Sequence, residues 1–100
     1  MIQGTTPTHI FTVPFDVSAI TTVKVSYIQL GSVVLTKNTE ECTLDGNTIS
    51  VTLTQEETFL FNEDRSVGIQ LRVRTAGGQV LTSVPQYVNV KVCFDKEVLA

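Results

Sequence analysis

The side chains able to do chemistry are few, and their spacing argues against most reactions. His9 is the only histidine, so a Ser-His-Asp triad, a Cys-His dyad or a multi-histidine metal site would each have to be built around one residue. It heads an alternating stretch and reads as an exposed or half-buried strand residue. Cys42 and Cys93 lack the C-x-x-C spacing of a zinc or redox motif. Their separation, 93 - 42 = 51 residues, resembles the gap of an immunoglobulin intersheet bridge, but there is no Trp to pack on such a disulfide. The start, Met1 to Thr8, has neither a basic n-region nor an apolar h-region. It is therefore expected to be a cytoplasmic start rather than a secretory signal, with both thiols in a reducing compartment, partly buried and structural.

Paired carboxylates are a second place to look for general acid–base work. Glu56-Glu57 follows Thr54 in a capping-box pattern, which gives the pair a structural cause: Thr54 accepts from the Glu57 amide and the Glu57 carboxylate reaches back. Glu40-Glu41 and Glu63-Asp64 lie beside turns without the ligand spacing of a calcium loop. Gly77-Gly78 precedes a strand, not a helix, and so offers no phosphate cradle. No catalytic residue, metal ligand, cofactor or small-molecule substrate is expected. The one constellation with binding character is basic: Gln70, Arg72 and Arg74 project from one face of a strand, and Lys24 and Lys91 are candidates to lie on neighbouring strands of that face. Guanidinium pairs on a flat sheet can grip carboxylates or stack on aromatics of a partner. The plain alternative is a wet sheet face cross-paired with Glu40 or Glu41.

The elements that must position these groups are strands. The chain has 100 residues, a net charge of -3, and 42% hydrophobic against 17% charged residues, enough for one domain, residues 1–100, with its own core. Thr and Val recur while Ala is scarce. Polar residues interrupt every apolar run, so no membrane-spanning helix is expected, and 7 Lys plus Arg against 10 Asp plus Glu argue against nucleic acid. His9, Phe11 and Val13 share a parity that Pro14 ends. Val23, Val25 and Tyr27 alternate up to Gly31, beyond which Val33 to Leu35 return as a hairpin. Asp45-Gly46 signals a tight turn into Ile49, Val51 and Leu53. One helical turn near residues 55–60 is expected to carry Phe59 and Phe61 or Leu60 onto the core. Val67, Ile69, Leu71 and Val73 form the clearest amphipathic strand. Val80 to Val84 returns to Pro85, and a last strand places Val88, Val90, Val92 and Phe94 on one face. The expectation is an all-β, antiparallel immunoglobulin-like β-sandwich of seven or eight strands with one short helical turn, a small barrel being the other possibility. Residues 1–7 are expected to form an extended arm, or Thr5 to Thr8 an edge strand. Exposed edges with few Lys or Pro residues make pairing with another chain a natural route to assembly.

Gly4-Thr5-Thr6-Pro7-Thr8, Tyr27-Ile28-Gln29 with Gly31, Cys42-Thr43-Leu44-Asp45-Gly46-Asn47 and above all Ser50-Val51-Thr52-Leu53-Thr54-Gln55-Glu56-Glu57-Thr58, followed by Ile69-Gln70-Leu71-Arg72-Val73, resemble a family of small uncharacterised proteins encoded in bacteriophages and prophages. The resemblance covers most of the chain. It implies a non-enzymatic virion or assembly component of tail or baseplate, present in the bacterial cytoplasm during assembly and then in the virion. Self-association or other virion proteins are the implied partners. A carbohydrate- or host-surface-binding module, with Tyr27 or Tyr87 as its aromatic platform, is the alternative from a different class.

Overall fold

The computed structural model describes all of residues 1–100. Eight strands follow in order: β1 (Thr8–Thr12), β2 (Ile20–Gln29), β3 (Ser32–Asn38), β4 (Cys42–Asp45), β5 (Thr48–Thr52), β6 (Ser66–Thr75), β7 (Val80–Thr82) and β8 (Gln86–Asn89). One helical turn, α1 (Gln55–Thr58), separates β5 from β6, and short 3-10 turns cover Val17–Ala19 and Thr39–Glu41. No helix is long and apolar enough to cross a membrane.

The strands form two antiparallel sheets, ordered β1-β5-β4 and β3-β2-β6-β7, with β8 also on β6. This is an all-β sandwich of immunoglobulin-like architecture. The pairing order is that of the variable type: β1, β5 and β4 stand where strands B, E and D stand, while β3, β2, β6 and the β7–β8 edge correspond to C′, C, F and G. The alternation within each strand explains the layering. Val23, Val25 and Tyr27 from β2 and Val67, Ile69, Leu71 and Val73 from β6 meet Ile49 and Val51 from β5, with Leu53, Phe61 and Val90 closing the core. α1 brings Phe61 inward, whereas Leu60 is exposed.

Turn chemistry sets the registers. Leu30 and Gly31 both have positive φ, 53° and 76°, as a two-residue type I′ loop between β2 and β3 requires. Between β4 and β5, Asp45 pairs with Thr48, so the central residues are Gly46 and Asn47, one place beyond the Asp-Gly dipeptide. Only Gly46 has positive φ, 58°, the pattern of a II′ loop with glycine first.

The last edge consists of two strands on either side of Pro85, as expected, but both are shorter: Val80–Thr82 of the Val80 to Val84 return, and a last strand that ends at Asn89. β7 pairs with the Arg72–Arg74 end of β6 and β8 with its Ser66–Ile69 end. Partner numbers sum to 154 in the Arg72–Thr82 pair and to 155 in the Ser66–Asn89 pair, so one extra residue is accommodated between them, around Ser83 and Pro85. Ser83 bridges the break: its N–H donates to Leu71 O at 2.8 Å, its Oγ accepts from Leu71 N–H, and its carbonyl accepts from the Gln70 amide. Beyond β8 the alternation lapses, and Phe94, expected to share a face with Val88, Val90 and Val92, is 94% exposed where Val90 is fully buried.

The first residues are extended but docked. Met1 O accepts from Lys91 N–H, Gln3 N–H donates to Lys91 O, and Ile2 forms a parallel bridge with Lys91. Gln3 is buried, its amide donating to Phe61 O at 2.8 Å. Gly4 N–H donates to the buried Thr58 hydroxyl at 2.8 Å. A Cβ on Gly4 would meet Phe59 Cζ at 2.9 Å and its φ is +77°, so the approach needs glycine.

Candidate functional site

The five residues expected to share a partner-contact face divide in the structure. Gln70, Arg72 and Arg74 lie on the outer face of β6, and Lys24 of β2 stands directly opposite Arg72 in the register. Arg72 Nε donates to Thr82 Oγ1 at 3.2 Å, and the Gln70 amide is occupied by Ser83 O. Lys91 is elsewhere. It lies beyond Asn89, which pairs with Ser66, and at ~3.3 Å per residue that is about 26 Å down β6 from Arg74. Neither Glu40 nor Glu41 pairs with this face. The only ion pairs are those of Lys37, to Glu57 at 2.7 Å and to Glu41 at 3.5 Å. Lys24, Arg72 and Arg74 therefore form a small basic patch without acidic partners.

Lys37 is the residue that strand alternation hides. Its side chain is 7% exposed, since it follows Leu35 on the inward parity of β3. Its ammonium reaches the Glu57 carboxylate, whose other oxygen accepts from Thr54 N–H at 2.8 Å, closing the capping box expected from Thr54 and Glu57. Burial works against the Lys37 charge, but Glu57 and then Glu41 overcome it and hold the ammonium above its ordinary value. Burial likewise raises the Glu57 carboxyl, and the Lys37 and Thr54 hydrogen bonds outweigh it and hold the group below the usual carboxylate range. The pair ties β3 to α1; it is structural.

The thiols are both free. Neither β1 nor β6, the counterparts of the strands that an immunoglobulin bridge would join, carries a cysteine. Cys42 lies on β4, where burial and then the Glu41 charge raise its thiol, with Lys37 opposing, so the reactive thiolate is disfavoured. Where a disulfide would pin the sheets, His9 of β1 meets Tyr27 of β2: His9 Nδ1 lies 2.8 Å from the Tyr27 hydroxyl, and the Tyr27 ring tilts against Phe61 with centroids 5.9 Å apart. Burial, and secondarily the positive N-terminus, lowers the His9 pKa. Burial, then the Cys42 and Glu57 charges, raises that of Tyr27. Tyr27 is fully buried and offers no platform to a sugar, while Tyr87, at 71%, is exposed across Gly68.

The surface best shaped for a macromolecule is one whole side of the sandwich. β1 is an edge strand, hydrogen-bonded only to β5, and it faces the β7–β8 edge of the other sheet. Between them lies an open groove of about 510 Å³, lined from Ile10 to Phe15 and by Leu71, Val73 and Leu81 among others. A second, of about 190 Å³, lies alongside at His9, Phe11, Ile69 and Val88. From Ile2 to Phe15, and again from Thr75 to Val90, there is no Asp, Glu, Lys or Arg, so all 7 basic and all 10 acidic residues lie elsewhere. Ile10 is 67% exposed, and Val80 and Val84 are exposed at the facing edge. Loss of charge with retained apolar exposure is the composition of an interface core rather than of a wet edge. Each stretch is legible in the sequence, but only the fold sets them side by side.

No family model matches the chain, and no curated protein matches it. Among solved structures it is similar to the V domain of amphioxus IgVJ-C2, with 16% identity over 91% of this chain and 95% of that one and a TM-score of 0.38. The class, an immunoglobulin-like sandwich of variable-type strand order, is defined by the pairing itself.

Proposed function

We propose that this chain is a non-enzymatic structural or assembly protein of phage type, a component of a virion, tail or baseplate that works through protein–protein contacts. The observation that carries the reading is the charge-free side between β1 and β7–β8. Isolated edge strands are ordinarily guarded by Lys, Pro or an inward charge, and β1 has only the flanking Pro7 and Pro14. The phage assignment draws its support from the sequence resemblance. Its most specific block, Leu53 to Thr58, supplies the Thr54–Glu57 capping box and the Thr58 anchor for Gly4, so the resemblance falls on residues that hold this fold together. The basic patch of Lys24, Arg72 and Arg74 is a second contact surface, suited to an acidic partner.

Native mass spectrometry of the purified chain, with fractionation of particles released from an induced lysogen, tests the reading. A chain found in particles, or in a discrete oligomer, is the expected result. A strictly monomeric protein absent from every particle fraction overturns it.

A further inference from the structure

Resting on that reading of an assembly protein, we infer that the free edge of β1 pairs antiparallel with β1 of a second copy, about a twofold axis through Ile10. The argument begins with which peptide groups β5 leaves unused. Leu53 N–H donates to Pro7 O, and Val13 N–H donates to Asn47 O, at 3.0 and 2.8 Å. Within the β1–β5 register, the odd-numbered residues Pro7, His9, Phe11 and Val13 therefore face β5. In an antiparallel ladder each residue's N–H and C=O point to the same side. Thr8, Ile10 and Thr12 thus turn both groups outward, and Pro14, next in that series, has no donor and ends it.

Those free residues are symmetric about Ile10. Placing Ile10 opposite Ile10 of a second copy sets Thr8 opposite Thr12 and Thr12 opposite Thr8, and every facing pair exchanges both of its hydrogen bonds. No residue on one strand is out of phase with the other, which makes the edge a template for itself. The side chains agree. The outer face of the junction is Thr–Thr, Ile–Ile and Thr–Thr, with no like charges brought together. On the inner face, Phe11 of each copy falls opposite His9 of the other, over the two grooves that flank β1. The charge-free stretch that continues along β7 and β8 lets the two bodies approach on that side without desolvating an ion.

Cysteine cross-linking and a proline scan test the register. Ile10→Cys places two sulfurs across a pair whose Cα atoms lie ~5.5 Å apart, within disulfide reach. It is expected to give a cross-linked dimer under mild oxidant, above the wild-type background from Cys42 and Cys93. Thr8→Cys alone is expected to stay uncross-linked, and a mixture of Thr8→Cys with Thr12→Cys to cross-link. Ile10→Pro removes only the outward donor, so it should keep the wild-type circular dichroism while weakening self-association by about tenfold or more in sedimentation velocity. Ile10→Lys, which places like charges at the twofold, should do the same without any change at the backbone. A wild-type chain that stays monomeric into the millimolar range, or a dimer indifferent to both Ile10 variants and unlinked at position 10, overturns the β1 pairing. Monomers that nonetheless fractionate with particles would overturn this inference while sparing the assembly reading; monomers absent from particles would remove both.

Discussion

Glu57→Gln is the substitution that most directly tests how this sandwich is stapled. Glutamine keeps the size of the side chain and can still accept from Thr54 N–H, so what it removes is the charge facing Lys37. The ammonium would remain almost buried, 7% exposed, with Glu41 at 3.5 Å as its only carboxylate, itself 44% exposed. Removing one partner of a fully buried pair costs ~3–5 kcal/mol. Discounted for the 20% exposure of Glu57 and for the remaining Glu41, the expected loss is about 2 kcal/mol, a fall in Tm of ~8–16 °C for a domain of this size. Lys37→Met removes the buried charge itself and should cost less, about 1 kcal/mol. The double variant should be no worse than Glu57→Gln alone, giving a coupling energy of about 1 kcal/mol or more. Urea unfolding followed by far-ultraviolet circular dichroism measures all four proteins. The pair has a pH signature as well. Glu57 is held below its ordinary value when folded, so its contribution is complete above the usual carboxylate range, near pH 4.3–4.5, and disappears as pH falls through the folded value. Lys37 is held above its ordinary value, so its contribution is complete below about pH 10.4 and disappears as pH rises through the folded value. A Glu57→Gln protein within 0.5 kcal/mol of wild type, or strictly additive single variants, would refute the argument.

His9 is held below its ordinary value by burial, so the unfolded chain takes up that proton first and stability should decline as pH drops from about 6.5 towards the folded value. Melting curves at pH 7 and pH 5 should show a decline that His9→Gln reduces. Gly4→Ala places a methyl 2.9 Å from Phe59 Cζ at a φ of +77° and should lower stability by about 2 kcal/mol in urea unfolding. Leu30, exposed and at φ 53°, occupies a position that asparagine tolerates better; Leu30→Asn should raise stability by about 0.5–1 kcal/mol, read as a higher Tm.

What the chain discloses before it is folded follows from how local the cause is. The β6 alternation of Val67, Ile69, Leu71 and Val73 needs only a period of two, and all four are buried. The Thr54–Glu57 capping box needs only neighbours three apart, and both halves form. Gln70, Arg72, Arg74 and Lys24 can be set on one face by parity and strand adjacency, whereas Lys91 cannot be placed because its height on the sheet depends on where β8 begins. Nothing local to Lys37 marks it for burial, because the carboxylate that makes its burial tolerable is 20 residues away (57 - 37) on another element. The docking of Met1 and Gln3 is equally hidden, since their partners Lys91 and Phe61 come from distant parts of the chain.

The break at Pro85 makes spacing, rather than residue identity, the constraint on the last edge. Leu81 faces the core side opposite Val73, and Val88 does so opposite Val67, an odd and then an even position on one geometrical edge. The extra residue between them changes the phase of the strand, so that both ends point apolar groups inward. Deleting one residue from Ser83 to Pro85 would give the whole edge a single register with Val88 still opposite Val67 and Tyr87 still opposite Gly68, so the inward set would survive and only the break would be lost. Deleting two would carry the strand one residue past that register and turn Val88 out to water.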